Sequence, residues 1–303
     1  MALPAQPILL TGATGFIGTR LARQLVGLGA DVAALVLPEE RTQLPTGVHP
    51  YVGDVTDSVS VSRTLHTVRP GAIIHLAAIG ITHPNLPLTE ALRVNVGGMV
   101  NVLDAVRGLD CVQRIVAVGS SYEYGARRAA EGIDPFNAYS ASKVAAWACV
   151  RAAYNAWDAP VVWVRPFQVY GPGQRETALI PAAIRAALTG ADFPMTAGEQ
   201  QRDFIYVDDV VEGLLAAATT SNIEGQTFDL GTEVLHRICD VVAEIWQLTD
   251  AQGTMLPGAL AYRPGEVPAI PADAARTRRL IGWSAHVDLQ QGLQRTIAAM
   301  RDP

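Results

Sequence analysis

Lysine is nearly missing from this chain. Of 23 basic residues among 303, all but Lys143 are arginine. A sequence that uses arginine wherever a generic cation suffices has kept one compact ammonium, so at that position the two cations are not interchangeable. Cysteine is also scarce. Cys111, Cys149 and Cys239 are odd in number and far apart, without a CxxC pair or a His/Cys cluster at ligand spacing. That excludes a disulfide framework and a metal centre, and a reducing compartment is expected. Only 17% of the residues are charged, and 23 basic against 29 acidic residues leave a formal charge of −6 with no block of one sign. Neither a disordered charged tail nor a nucleic-acid footprint fits that balance. No apolar run reaches the roughly 18 residues that cross a bilayer, and Met1 to Leu10 contain no basic leader region. The expected setting is the cytoplasm, with no nucleic-acid or membrane partner and a small molecule as substrate.

What is present is an apolar chain, 49% hydrophobic, long enough for one large or two modest domains. Short apolar runs at residues 8–11, 32–37, 73–77, 114–120 and 160–165 read as buried strands. Helical patterns lie between them: Ile17, Leu21 and Leu25 stand four apart, and residues 88–107 and 137–157 are long and rich in Ala, Val and Leu. This alternation predicts an α/β fold, a doubly wound parallel sheet with helices on both faces and ligands beyond the carboxyl ends of the strands. After Gly171 the chain breaks into Pro- and Gly-punctuated pieces, which predicts a smaller C-terminal lobe over the substrate. The expected division is a dinucleotide-binding domain over 1–170 that includes the catalytic residues. Residues 171–303 mainly form the substrate lobe, with some segments returning to the first domain.

Three glycines, Gly12, Gly15 and Gly18, follow the first strand at G-x-x-G-x-x-G spacing and open the first helix. Gly12 permits a tight turn, Gly15 lets the backbone approach a pyrophosphate, and Gly18 lets helix and sheet pack closely, while the helix N-terminus offers N–H donors. Folds of this kind hold the adenosine ribose with an acid at the end of the second strand. Here that end reads Ala34-Leu35-Val36-Leu37-Pro38, and Glu39, Glu40 and Arg41 come after the proline. A missing carboxylate removes a diol acceptor and also a charge repelling a 2′-phosphate, so the reading leans to NADP(H) over NAD(H). Arg41 is then either the phosphate partner or an ordinary surface charge. Asp54 either accepts from the adenine amino group or caps the next helix.

Tyr139 and Lys143 are four apart in a helical stretch and share one face. A phenol near pKa 10 is a poor acid–base catalyst at neutral pH, and a neighbouring ammonium is expected to pull it down. With eight tyrosines in 303 residues, chance puts the lone lysine four after a tyrosine roughly once in forty. Upstream, Ser120 and Ser121 follow an apolar strand, which places a hydroxyl where a substrate carbonyl can accept it, although serines there also form turns.

Together these residues resemble the extended short-chain dehydrogenase/reductase family, in its nucleotide-sugar epimerase, dehydratase and reductase branch. The resemblance covers nearly the whole chain. It rests on the glycine loop, Gly53-Asp54, His75-Leu76-Ala77-Ala78, Asn95, the serine segment and Tyr139/Lys143. Further along it rests on Arg165-Pro166-Phe167-Gln168-Val169-Tyr170-Gly171-Pro172-Gly173, on the run from Arg202 to Asp209, and on Arg263-Pro264-Gly265-Glu266. It implies a Rossmann fold in which Tyr139 is the general acid/base, Lys143 its pKa setter and ribose ligand, and Ser120 the carbonyl polariser, with Ser121 as substitute. Further implied cofactor contacts are Thr14, Phe16, Ile17, Asp54, Val55, Leu76, Ala77, Ala78, Asn95 and Pro166. For a nucleotide sugar it implies Arg202 and Arg263 at the diphosphate or nucleoside, with His83, Ser121, Tyr122 and Gln168 lining the pocket. Surface ion pairing remains the alternative for the two arginines, and a structural role the alternative for Gln168, which stands where the family commonly has Asn. A homodimer through the helices of residues 88–107 and 137–157 is also implied.

Departures from the family pattern bear on the reaction. Dehydratases of this branch carry an acidic pair directly after the catalytic hydroxyl residue. Those positions here are Ser121 and Tyr122, and Glu123 comes one residue late, where an extended segment would point it elsewhere. Two reactions remain, reduction of a nucleotide 4-keto-6-deoxysugar and 4-epimerisation with tightly bound NAD, and the missing ribose acid favours the reductase. A non-catalytic dinucleotide sensor ranks third because Tyr139 and Lys143 are both kept.

Overall fold

The computed structural model of the chain describes residues 3–80, 85–125, 132–262 and 271–301. Its first part contains strands β1 (Ile8–Thr11), β2 (Val32–Val36), β3 (Val48–Val52), β4 (Ala72–His75), β5 (Arg114–Val118) and β6 (Val161–Pro166). The helices between them are α1 (Phe16–Gly27), α2 (Ser58–Val68), α3 (Leu88–Ala91), α4 (Gly97–Val106) and α5 (Ala138–Trp157). Next come β7 (Gln168–Tyr170), α6 (Leu179–Thr189), β8 (Phe193–Met195), β9 (Gln201–Tyr206), α7 (Val207–Thr219) and β10 (Thr227–Leu230). Last are β11 (Leu235–Arg237), α8 (Ile238–Thr249), β12 (Met255–Pro257), α9 (Ala274–Ile281) and α10 (Leu289–Arg301).

Seven strands form one sheet in the order β10-β6-β5-β4-β1-β2-β3, and every neighbouring pair is parallel. The order reverses between β1 and β4, the point at which such sheets open a crevice for a ligand. Every residue of β1, β2, β4, β5 and β6 is buried, so these strands stand out in the sequence as unbroken apolar runs. β3 does not. It is the sheet edge, its His49, Pro50 and Val52 face solvent, and a strand open to water with a proline in it carries no apolar run to read.

Helices cover both faces. On one side Leu21 and Leu25 of α1 and Val210 and Leu214 of α7 pack on alternate residues of β1 and β2. On the other, Leu65 of α2, Met99 and Val102 of α4 and Val150 of α5 do the same. Both α7 and β10 come from beyond residue 171 and lie with the large sheet. The stretch read as one helix over 88–107 is broken by a π-turn at Leu92–Val96 between α3 and α4, and Asn95 is buried in that wider turn. A third core joins α6, α8 and α10 to β7 and β9. There β7 runs parallel and β11 antiparallel to β9, while β8 pairs with β12. Only Phe167 separates β6 from β7, so Gln168 stands where the chain leaves the large sheet for the smaller one.

Leu25 has no exposed surface between α1 and the sheet. Leu25→Ala is expected to lower the unfolding free energy by about 2–5 kcal/mol in a denaturant titration. A change within about 0.5 kcal/mol, the range of surface positions, would contradict this packing.

Candidate active site

The glycine loop joins β1 to α1 at the reversal of strand order. Gly12 has φ +69°, and a Cβ there would lie 2.8 Å from the Ala77 nitrogen; one on Gly18 would lie 2.0 Å from the Gly12 carbonyl oxygen. Both positions therefore exclude any side chain. Gly15 differs, being exposed and limited only by the Gly12 oxygen at 3.3 Å, so its backbone is bare toward solvent. It is also the N-cap of α1, without a side-chain cap and without an acid in the first turn. Uncapped N–H groups and a positive helix end beside a bare backbone fit a pyrophosphate. Thr14 is half-buried in the loop, and Phe16 and Ile17 turn toward the core of the smaller lobe.

At the end of β2, Val36 is buried. Of the two acids that follow, Glu40 turns back to accept from the Leu37 N–H at 3.2 Å. Arg41 is exposed and has no hydrogen-bond or ion-pair partner among the described residues. The Asp54 carboxylate accepts from the Thr56 N–H at 2.8 Å, whereas the helix cap belongs to Asp57, which accepts from Val59 and Ser60. Asp54 thus closes a turn and leaves the cap of α2 to its neighbour. Val55 packs against Gly98 of α4. Leu76 and Ala77 donate to the carbonyl and hydroxyl of Thr11, Ala78 is exposed, and Pro166 ends β6 in the interior.

Asn95, expected at the cofactor, also makes hydrogen bonds within the protein. Its amide donates to the Ile79 carbonyl at 3.0 Å and to the Ser142 hydroxyl at 2.8 Å, and its oxygen accepts from the Ile79 N–H at 2.8 Å. It ties the segment after β4 to α5, which carries Tyr139. A second tie is His75, whose Nδ1 lies 2.8 Å from the Thr11 hydroxyl. Burial first, and then the nearby Lys143 charge, pull that imidazole down to about 3, so it is a neutral hydrogen-bonding group.

Ser120, Tyr139 and Lys143 come together where β5 ends. Asn137 caps α5 by accepting from the Ser140 N–H at 2.8 Å, which sets the helix so that Tyr139 and Lys143 are both buried against the sheet. The Lys143 ammonium donates to the Val118 carbonyl at 2.8 Å and lies 5.9 Å from the centre of the Tyr139 ring. Burial lowers its pKa to about 8, with Glu123 pulling the other way. The Tyr139 phenol departs from the expectation: burial pushes it above its ordinary value, Ser120 is the group that lowers it, and Lys143 is not among its causes. The lysine proton is directed at a carbonyl, and loss of water around the phenol outweighs any help from a charge that far off.

The turn after Ser120 corrects a second expectation. Ser121–Glu123 is a 3₁₀ turn and not an extended segment. Glu123 does point away from the cleft, but inward, paired with Arg165 at 2.7 Å. Tyr122 stands beside Tyr139, ring centres 6.3 Å apart, with Phe136 5.5 Å beyond. Gln168 is half-buried at the start of β7 and Arg202 half-buried in β9, its Nη1 donating to the Gln201 carbonyl at 2.6 Å. His83 and Arg263 lie outside the described residues. Sequence reasoning missed the buried polar group of Glu123, Tyr124, Arg165 and Asp229; its signal is Arg165, an arginine in the apolar run of residues 161–165. No group of three His, Cys, Asp or Glu able to hold a metal occurs among the described residues. No helix among them is long and apolar enough to cross a membrane.

Fold and site define a dinucleotide-binding α/β enzyme. The sequence profile of the NAD dependent epimerase/dehydratase family matches residues 8–231, and the chain belongs to that family. It is 28% identical to a dTDP-glucose 4,6-dehydratase of Xanthomonas campestris pv. campestris over 95% of this chain and 91% of that one. It is 31% identical to MoeE5, solved in complex with UDP-glucose and NAD, with a TM-score of 0.86 over 97% of this chain and 98% of that one. It shares its fold with the UDP-glucose 4-epimerase of Thermotoga maritima, at 22% identity and a TM-score of 0.90 over 98% and 99% of the two chains.

A single lysine allows a direct test of the site's electrostatics. Lysine labelled with carbon-13 at Cε gives one side-chain resonance, and its chemical shift is expected to titrate near pH 8, charged below and neutral above. A midpoint at the ordinary 10.5 would mean that the ammonium is solvated and α5 is not seated as described.

Proposed function

We propose that the chain is an NAD(P)-dependent oxidoreductase of a nucleotide-activated sugar, acting as a 4-ketoreductase on a nucleotide 4-keto-6-deoxysugar with NADPH. The observation that carries the reading is the meeting of the Ser120 and Tyr139 hydroxyls with the Lys143 ammonium at the end of β5, beside a loop shaped for a pyrophosphate. A carbonyl oxygen set there accepts from Ser120 and Tyr139, and charge that develops on it meets two donors held in place before the reaction. Tyr139 then delivers its proton to that oxygen. A phenol kept protonated by burial suits a residue that must arrive carrying its proton. A bound dinucleotide supplies the hydride, and the chain's part is to orient it through the glycine loop and Lys143.

Three features support the finer reading. Buried Val36 replaces a ribose-binding acid, and the unpartnered Arg41 nearby is suited to a 2′-phosphate. Tyr122 and Phe136 offer aromatic edges to the apolar side of a sugar beside Tyr139. Against dehydration, Ser121 and Tyr122 hold no carboxylate, and Glu123 is enclosed by Arg165 and Trp163. Arg202, with Arg263 from outside the described residues, is assigned to the diphosphate, and His83 and Gln168 to the sugar. Epimerisation is the second reading, favoured by one observation: MoeE5, similar along almost its whole length, was solved with NAD and UDP-glucose.

Mass spectrometry of nucleotides released from the purified protein separates the two. The reductase reading expects a site without retained NAD that binds NADPH at least as tightly as NADH, with Arg41→Ala weakening NADPH selectively. Stoichiometric NAD released from the protein, or tenfold tighter NADH binding, would favour the epimerase.

Steady-state kinetics on a 4-keto nucleotide sugar tests the hydroxyl pair. Ser120→Ala is expected to lower kcat roughly 10² to 10³-fold with little change in KM, and Tyr139→Phe at least as much. The double variant is expected to lose less than the product of the two, and Ser121→Ala little. A severe Ser121→Ala beside a mild Ser120→Ala would transfer the carbonyl to Ser121.

A further inference from the structure

Glu123 is a carboxylate with no exposed surface, and removing such a group from water costs several kcal/mol unless donors replace the water. Three do. The Ser120 main-chain N–H donates at 2.8 Å, the Trp163 indole N–H lies 3.1 Å from both oxygens, and Arg165 Nε donates at 2.7 Å. Arg165 is secured in turn: its Nη1 donates to the Tyr124 hydroxyl at 3.2 Å, and that hydroxyl donates to Asp229 at 2.8 Å. Its guanidinium also lies 4.9 Å from the Tyr124 ring centre and 5.7 Å from that of Trp147. The end of β5 is fitted to this carboxylate. A Cβ on Gly119 would lie 2.2 Å from Glu123 Oε1 and 2.3 Å from the Trp163 indole nitrogen, so glycine at 119 is a requirement of the acid at 123.

Ser120 sits between that glycine and the turn. Its main chain is extended, φ −162° and ψ 147°. Its N–H is bound by Glu123, and its hydroxyl accepts from the Tyr122 N–H at 3.2 Å. With the peptide before Ser120 bound on the inner side, its side chain is directed to the outer one, toward Tyr139. Nothing else among the described residues accepts from that N–H. The carboxylate therefore orients a hydroxyl that it does not touch.

We propose that Glu123 is a positioning residue for the reaction: by accepting from the Ser120 N–H while paired with Arg165, it fixes the Ser120 hydroxyl beside Tyr139 at the substrate carbonyl. This rests on the catalytic reading of Ser120 and Tyr139. Misplacing a reacting group by about 1 Å costs up to roughly a hundredfold in rate without a matching loss of binding, so the signature is in kcat and not in KM.

The test is a double-mutant cycle of Glu123→Gln with Ser120→Ala, joined to amide hydrogen exchange at Ser120 by NMR. Glu123→Gln is expected to lower kcat roughly tenfold to a hundredfold with KM and NADPH affinity within about threefold. In the Ser120→Ala background the same change is expected to cost less than about threefold, because its target is gone. Equal losses in both backgrounds would overturn the proposal. Exchange at Ser120 is expected to quicken at least tenfold in Glu123→Gln while Val116 in β5 exchanges as in the parent; an unchanged Ser120 amide would overturn the proposal whatever the turnover. A parent protein that turns over no nucleotide hexose would count against the function and not against this exchange result. Glu123→Asp keeps the charge for Arg165 but draws the carboxylate back from Ser120, so it tests the same point if the glutamine variant fails to fold. It is expected to lower kcat and quicken the Ser120 amide, and parent values for both would overturn the proposal.

Discussion

The hydrogen bond from the Lys143 ammonium to the Val118 carbonyl is the constraint on which the site depends. It places the one lysine of the chain at the carboxyl end of β5, next to the middle strand of the sheet, and it seats α5 against the sheet. Tyr139, one helical turn earlier on the same face, is thereby fixed over the end of β5, where Ser120 begins the next turn. An arginine there would have to bury a larger planar fork with five donors, and one strand-end carbonyl cannot satisfy it. The composition of the chain and the geometry of its site are in this respect one fact. An otherwise lysine-free sequence keeps its ammonium where only a compact cation fits.

Around this contact the structure uses polar side chains as ties between elements distant in sequence. Asn95 joins the segment after β4 to α5, and His75 joins β4 to β1. Asp203 accepts from the N–H groups of Thr232, Glu233 and Ala272, Asp209 from those of His286 and Val287, and Asp208 pairs with Arg20 of α1. The motif from Arg202 to Asp209 therefore acts largely as a clamp, its three acids binding the smaller lobe and α1 together. Buried carboxylates that accept several main-chain N–H bonds stay satisfied without water, and they add to the apolar packing that holds these loops.

What could be read from the sequence is what is local. The glycine loop is legible because strand, turn and helix are contiguous and each glycine has a steric reason. Tyr139 and Lys143 are legible because the helical period sets them on one face. The buried strands announce themselves as apolar runs, and the exposed edge β3 does not. The π-turn that buries Asn95 has no local signature, and in the network of Glu123, Arg165, Tyr124 and Asp229 a lone arginine in an apolar run does not name its partners, which pair across 42 and 105 residues. Glu123 departs from the extended segment expected there because its side chain turns inward to Arg165 and Trp163, partners far along the chain, while also accepting from Ser120. Spacing gives the proximity of Lys143 to Tyr139 but not the desolvation of the phenol, and here desolvation is the larger effect.

The measurement that tests the central claim most directly is NADPH consumption with a nucleotide 4-keto-6-deoxyhexose, for the parent protein and for Lys143→Arg. The account expects the parent to oxidise one NADPH for each 4-hydroxy sugar formed, and the arginine variant, with charge conserved, to be at least about a hundredfold slower because the fork cannot occupy the ammonium's place. Near-parental turnover by Lys143→Arg, or no consumption by the parent, would contradict it.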